Sequence, residues 1–120
     1  MKIAISAKGR DLSAQIDPRF GRAAGFIIYD LDTDEFEYLS NSLNLQASQG
    51  AGIQTAQNVA GAGVQAVLSG NIGPKAFTAL QSGGLDIYLL DNSKTVNQAV
   101  QAFKNGEIHP ASGASKPGHW

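Results

Sequence analysis

A chain of 120 residues, 42% of them hydrophobic, is long enough for one domain with a core of its own. Its net charge of -1 supplies no basic field, which argues against general nucleic-acid binding, and no apolar run approaches the roughly 18 residues of a membrane span. With no cysteine there is no disulfide, no thiolate nucleophile and no protein thiolate for zinc or an iron–sulfur cluster.

Met1-Lys2-Ile3-Ala4-Ile5 enters a strand directly, without an apolar signal segment and cleavage site, so the cytoplasm is the expected compartment. The near-continuous apolar run through Ile5 suits a central strand covered on both faces. A polar loop follows from Ala7 to Ala24 and holds Asp17-Pro18-Arg19-Phe20-Gly21-Arg22. Phe26–Tyr29 reads as a second strand, Asp32–Asp34 as a turn, and Phe36–Leu39 as a third strand at a sheet edge. Asn41–Gln49 is polar and unpatterned, and reads as a mobile loop.

Gly50-Ala51-Gly52 opens a helix with Ile53, Ala56, Val59 and Ala60 on one face, ending near Gly61–Gly63. Val64–Leu68 is a buried strand and Ser69–Gly73 a tight loop. Pro74 suits the first position of a second helix, whose apolar face is Ala76, Phe77 and Leu80 and which Gly83-Gly84 stops. Leu85–Leu90 is the last strand. Asn92 or Ser93 is placed to cap a third helix, where Val96, Ala99, Val100 and Phe103 make the clearest helical stripe in the chain. Gly106 ends it. The domain is expected to span residues 1–108, with 109–120 a flexible tail rich in Pro, Ser, Gly and Lys.

The order β–β–β–α–β–α–β–α predicts an α/β fold in three layers. Right-handed crossovers give a mixed five-stranded sheet of order 3-2-1-4-5, strand 2 antiparallel, with helices on both faces. Ligands of such sheets bind beyond the carboxyl ends of the parallel strands. The arginine loop and Ser69–Gly73 both emerge at that edge. The start of the Gly50–Gly52 helix reaches it if the Asn41–Gln49 loop returns there.

These loops predict one anion-binding face. Helix N-termini carry unpaired N–H groups and the positive end of the dipole, and Gly73–Lys75 is such a start. Arg19, Arg22 and Lys75 add charge. Gly21, Gly50, Gly52, Asn71 and Gly73 allow close approach of backbone to a ligand. The competing reading pairs Arg19 with Asp17 and leaves the glycines to solve turns. Phe20 is either a lid over the pocket or an anchor of the loop in the core. Gly70–Lys75 lacks both the glycine spacing of a P-loop and the Ser/Thr after Lys, so nucleotide hydrolysis is rejected. The central strands carry no carboxylates for a two-metal nuclease, and the only histidines, His109 and His119, fall at the end of the chain, where they read as solvated.

Four stretches in this order carry a resemblance: Asp17–Arg22, Gly50–Ala56, Ser69–Phe77 and Phe103–Ile108. From Met1 to about Ile108 the chain resembles the dinitrogenase iron–molybdenum cofactor biosynthesis family, which includes the NifX and NafY carriers and the C-terminal domain of NifB. The resemblance implies a ribonuclease-H-like fold that binds or carries a metal–sulfur cluster and is not an enzyme. It is similar above all to the small, cysteine-free members that hold a sulfide-bridged molybdenum–copper cluster noncovalently. Such a cluster is anionic and brings its own sulfides, so basic side chains and N–H groups could hold it; an iron–molybdenum-type cluster fits less well. Some relatives ligate their cofactor through a histidine, and no histidine falls within residues 1–108 here. Protein partners implied by the resemblance are cluster donors, acceptors and ATPase-type proteins. The alternative is a cluster-free interaction or regulatory module acting through the 41–50 loop and the tail.

Overall fold

The computed structural model describes residues 1–42, 51–90 and 94–111. The elements are β1 (Lys2–Ala7), β2 (Gly25–Asp30), β3 (Phe36–Ser40), α1 (Ala51–Ala60), β4 (Ala66–Ser69), α2 (Pro74–Ser82), β5 (Asp86–Leu89) and α3 (Val96–Lys104). They build a five-stranded sheet of order β3-β2-β1-β4-β5, as expected. β1 runs antiparallel to β2 and parallel to β4, and β4 is parallel to β5.

Each face of the sheet carries its own core, which is why the Ile3-Ala4-Ile5 run of β1 is apolar without a break. On one face Ala4, Phe26, Ile28, Val67 and Ile87 meet Ala56 and Val59 of α1 and Ala76, Phe77 and Leu80 of α2. On the other, Ile3, Ile5, Ile27 and Leu68 meet Val96, Ala99 and Val100 of α3. Helices of 9 or 10 residues are too short to persist alone in water, so this burial holds them. Each fully buried Ile, Leu or Phe contributes roughly 1.5–3 kcal/mol. Among the described residues no helix is long and apolar enough to cross a membrane.

Several expectations shift. Val64 is buried under the helices and the β4 ladder starts at Ala66. The expected caps Asn92 and Ser93 lie outside the described residues; Thr95 caps α3 through a capping box. Its hydroxyl accepts the Gln98 N–H at 3.2 Å, and its own N–H donates to the Gln98 side chain at 2.9 Å. The stretch read as a mobile loop starts with a residue that is locked: Asn41 is buried. Residues 43–50 of that loop lie outside the described residues. At the other end, the chain stays on the sheet past His109, since the Ala111 N–H donates to the Ile87 carbonyl at 2.6 Å and Ala111 packs against the core.

Candidate anion-binding site

The loop after β1 folds as two lobes with different duties. Residues 8–16 run beside the start of α3. The Lys8 N–H donates to the Gln15 carbonyl, and the Ile16 N–H to the Lys94 carbonyl. Val96 and Asn97 in turn donate their N–H groups to the carbonyls of Ala14 and Leu12. With Gln98 taken by Thr95, the first turn of α3 is satisfied by protein and offers nothing to an anion.

The second lobe, residues 17–22, is fastened to β1 and β4. Ile5 pairs with Leu68, which sets Ser6 beside Ser69 at the carboxyl ends of the two central strands. The Ser6 and Ser69 hydroxyls lie 2.9 Å apart, and Ser6 Oγ also donates to the Asp17 carbonyl at 2.8 Å. The Asp17 N–H returns to the Ser6 carbonyl at 3.0 Å. All three residues are buried. Asp17 Oδ1 accepts the Arg19 N–H at 3.0 Å, a turn that sets the direction of the loop. The Arg19 side chain reaches the same oxygen only at 3.7 Å through Nε and is 68% exposed. Asp17 therefore shapes the loop, and a pairing this exposed contributes little to holding the guanidinium.

Phe20 takes the anchor role. It is buried, with its ring edge-on to Phe26 at 5.2 Å, so it is not at the surface to cover a ligand. Its N–H donates to the Asn71 carbonyl at 3.1 Å, and Arg19 and Asn71 form a parallel bridge. The arginine loop and the Ser69–Gly73 loop are thus joined backbone to backbone. Gly70 makes the approach possible: a Cβ there would stand 2.6 Å from the Pro18 Cα. Gly73 has no such neighbour and is open to solvent.

A third segment is tied in by Asn41. Its Nδ2 donates to the Ala23 carbonyl at 2.9 Å and approaches the Gly21 carbonyl at 3.4 Å, while its Oδ1 accepts the Thr55 hydroxyl at 3.0 Å. The end of the arginine loop is thereby stapled to the buried side of α1. The start of α1 also meets α2, where a Cβ on Gly52 would touch that of Ala76 at 3.4 Å. A groove of about 400 Å³, lined by Ile53, Pro74, Lys75, Thr78 and Ala79, lies between the two helix starts.

The first turn of α2 differs from that of α3. Its N-cap Gly73 makes no side-chain cap, and Lys75 stands exposed beside it. Lys8, Arg10, Arg19, Arg22, Lys75 and Lys94, six of the nine Lys and Arg residues, gather at this edge. Among the described residues only Asp11 and Asp17 oppose them. The edge is therefore basic although the whole chain is not. Of the residues expected at the site, Arg19, Gly21, Arg22, Gly52, Asn71, Gly73 and Lys75 come to this edge; Gly50 lies outside the described residues. Sequence reasoning missed Ser6, Ser69, Asn41, Thr55 and the contact at Gly70. The two serines had a legible signal, since each closes an apolar run on a neighbouring parallel strand. Asn41 had none, because its partners are set by the tertiary fold.

Among the described residues no group of His, Cys, Asp or Glu is arranged to hold a metal ion. The donors present are cations and backbone N–H groups. They fit an anion that carries its own ligands and do not fit a bare metal or a cluster needing thiolates.

The chain is similar along almost its whole length to two solved structures. The apo form of the orange protein from Desulfovibrio gigas is 44% identical, with 96% of each chain covered and a TM-score of 0.94. A putative NifB protein from Thermotoga is 31% identical over 98% of each chain, with a TM-score of 0.83. An uncharacterized protein of Methanocaldococcus jannaschii is 31% identical over 111 residues, which is 90% of this chain and 89% of that one. The family model described as dinitrogenase iron-molybdenum cofactor matches residues 1–106, and the chain belongs to that family.

Proposed function

We propose that this protein binds and carries an anionic metal–sulfur cluster as noncovalent cargo, and that the cargo is a sulfide-bridged molybdenum–copper cluster. The observation that carries the reading is the backbone junction of Arg19 with Asn71. It sets the arginine loop beside the α2 helix start, which has no side-chain cap, on an edge holding six cations. Arg19, Arg22 and Lys75 supply the charge. Gly21, Gly50, Gly52, Asn71 and Gly73 let backbone come close to the cargo, and Phe20 fixes the loop from beneath. Membership of the family and the likeness to the orange protein support a carrier over an enzyme. The lack of cysteine favours a cluster that brings its own sulfides over an iron–molybdenum-type cluster. On this reading residues 1–108 are the binding domain, the cytoplasm is the compartment, and donors, acceptors and ATPase-type proteins are the partners.

The test is an Arg19→Ala, Arg22→Ala double variant, dialysed anaerobically against copper and tetrathiomolybdate beside the wild type. A charge-assisted hydrogen bond contributes roughly 1.5–3 kcal/mol, so losing two lowers affinity about 100-fold or more. Both side chains are exposed, so the melting temperature should hold. Full affinity in the double variant would remove the assignment.

A further inference from the structure

The charges are segregated. The end of the sheet away from the arginine loop carries Asp30 at the close of β2, Asp32, Asp34 and Glu35 in the turn, and Glu37 in β3. Two of these are taken: Asp32 by the N-terminal amine at 2.6 Å, and Asp34 by Lys104 Nζ at 2.6 Å. The exposed large hydrophobic residues among those described, Met1 and Phe36, are at the same end. A groove of about 260 Å³ opens there, with Ile28, Asp30, Glu35, Phe36 and Glu37 in its walls and Lys2, opposite Asp30 in the sheet, as the one cation among its described residues.

β3 is also the sheet's edge, and its outer side has no partner strand among the described residues. The ladder decides which groups face outward. The Asp30 N–H donates to the Glu35 carbonyl at 2.8 Å, and the Asn41 N–H to the Ala24 carbonyl at 3.0 Å. Hydrogen-bonded pairs alternate in an antiparallel ladder, so Glu37 and Leu39 bond inward to Ile28 and Phe26. The N–H and C=O groups of Phe36, Tyr38 and Ser40 are left pointing out. Side chains alternate as well: Glu37, opposite Ile28, lies on the α1/α2 face with Glu35, and Phe36 and Tyr38 lie on the α3 face.

We propose that β3 is a docking edge which takes, by strand addition, an extended segment of a partner protein in which basic and apolar residues alternate. Main-chain bonds form to Phe36, Tyr38 and Ser40. The basic side chains lie beside Glu35 and Glu37, and the apolar ones beside Phe36 and Tyr38. A second copy of this chain offers no basic side chain along Phe36–Ser40 to meet Glu35 and Glu37. In the register centred on Phe36, Glu35 of one copy stands opposite Glu37 of the other, and like charges directly opposed are destabilising. Glu35 and Phe36 lie at the end of the sheet away from the arginine loop, whereas Ser40 pairs with Gly25 and Arg10 lies over the Tyr38 ring at 4.6 Å, so the added strand runs from the acidic end toward the basic edge.

The test is an amide-resonance titration of the full chain with the acetylated, amidated pentapeptide Lys-Val-Lys-Val-Lys. The expected result is shifts and slowed hydrogen exchange at Phe36, Tyr38 and Ser40. The same peptide should bind a Glu35→Lys, Glu37→Lys variant about tenfold more weakly, while Glu-Val-Glu-Val-Glu gains binding to that variant. Both positions are exposed, and an otherwise unchanged amide spectrum verifies the variant's fold. Shifts confined to the Arg19–Lys75 edge, no shifts at all, or equal binding of both peptides to the wild type would overturn the proposal. So would concentration-dependent broadening of β3 in the free protein, which would assign the edge to a second copy.

Discussion

Replacing Gly70 by alanine separates two demands on a glycine-rich loop. The added methyl would lie 2.6 Å from the Pro18 Cα and 3.0 Å from the Pro18 carbonyl oxygen. Both are backbone atoms, so one loop must move from the other. Overpacking of this kind costs about 1–3 kcal/mol. Parting the loops also strains the bond from the Phe20 N–H to the Asn71 carbonyl, worth about 1 kcal/mol. The lower entropy of the unfolded chain offsets roughly 0.4–1 kcal/mol. The net loss is about 1–3 kcal/mol, which for a domain of this size lowers the melting temperature by roughly 5–15 °C. Gly73→Ala is the control. Nothing lies within 4 Å of its added carbon and its φ is −69°, so stability should stay within about 0.5 kcal/mol. Thermal melts followed by circular dichroism decide. Equal melting temperatures for the two variants would refute the claim that the arginine loop is pressed onto Gly70.

Thr95→Ala removes the capping box of α3 and should cost about 1 kcal/mol in urea unfolding with an unchanged m-value. Asn41→Ala leaves the buried Ala23 carbonyl and the Thr55 hydroxyl without these partners; a loss of roughly 2–3 kcal/mol is expected, with weaker cluster binding because the arginine loop is no longer stapled to α1. Lys104→Met probes pH dependence. The hydrogen bond from Lys104, and then that from Tyr29, hold the Asp34 carboxyl below its usual range, while the bond to Asp34 pushes Lys104 up. A depressed carboxyl adds stability above its unfolded value of about 3.9 and loses it as pH falls through the folded value. The raised Lys104 adds stability below about 10.4 and loses it as pH rises through its folded value. The gap between wild type and variant should therefore be flat near neutrality and close at both extremes; a gap persisting unchanged at pH 2 would contradict the pairing.

The sheet order was legible because the deciding residues act locally. Ile3-Ala4-Ile5 must be covered on both faces, Pro74 and Gly83 bracket α2, and right-handed crossovers leave few topologies. Helix starts were readable by the same logic, though for α3 the nearer Thr95 won over Asn92 and Ser93, since Gln98 stands three residues on. The site was legible only in part. Arg19, Arg22 and Lys75 declare themselves as charges on loops. Which helix start is free for an anion could not be read, because the chain that satisfies α3 comes from Leu12 and Ala14, more than 80 residues away. The contact at Gly70 was missed for the same reason: the distance from Gly70 to Pro18 is a tertiary fact. Phe20 resolved from two readings to one once Phe26 was seen beneath it.

The most direct test of the account is anaerobic reconstitution of the purified chain with copper and tetrathiomolybdate, followed by desalting, a visible spectrum and metal analysis, with the Arg19→Ala, Arg22→Ala variant run in parallel. The account predicts a coloured wild-type protein retaining about two molybdenum atoms per copper and a variant that loses most of both metals. A colourless, metal-free wild type, or a variant that retains the metals as fully as the wild type, would contradict it.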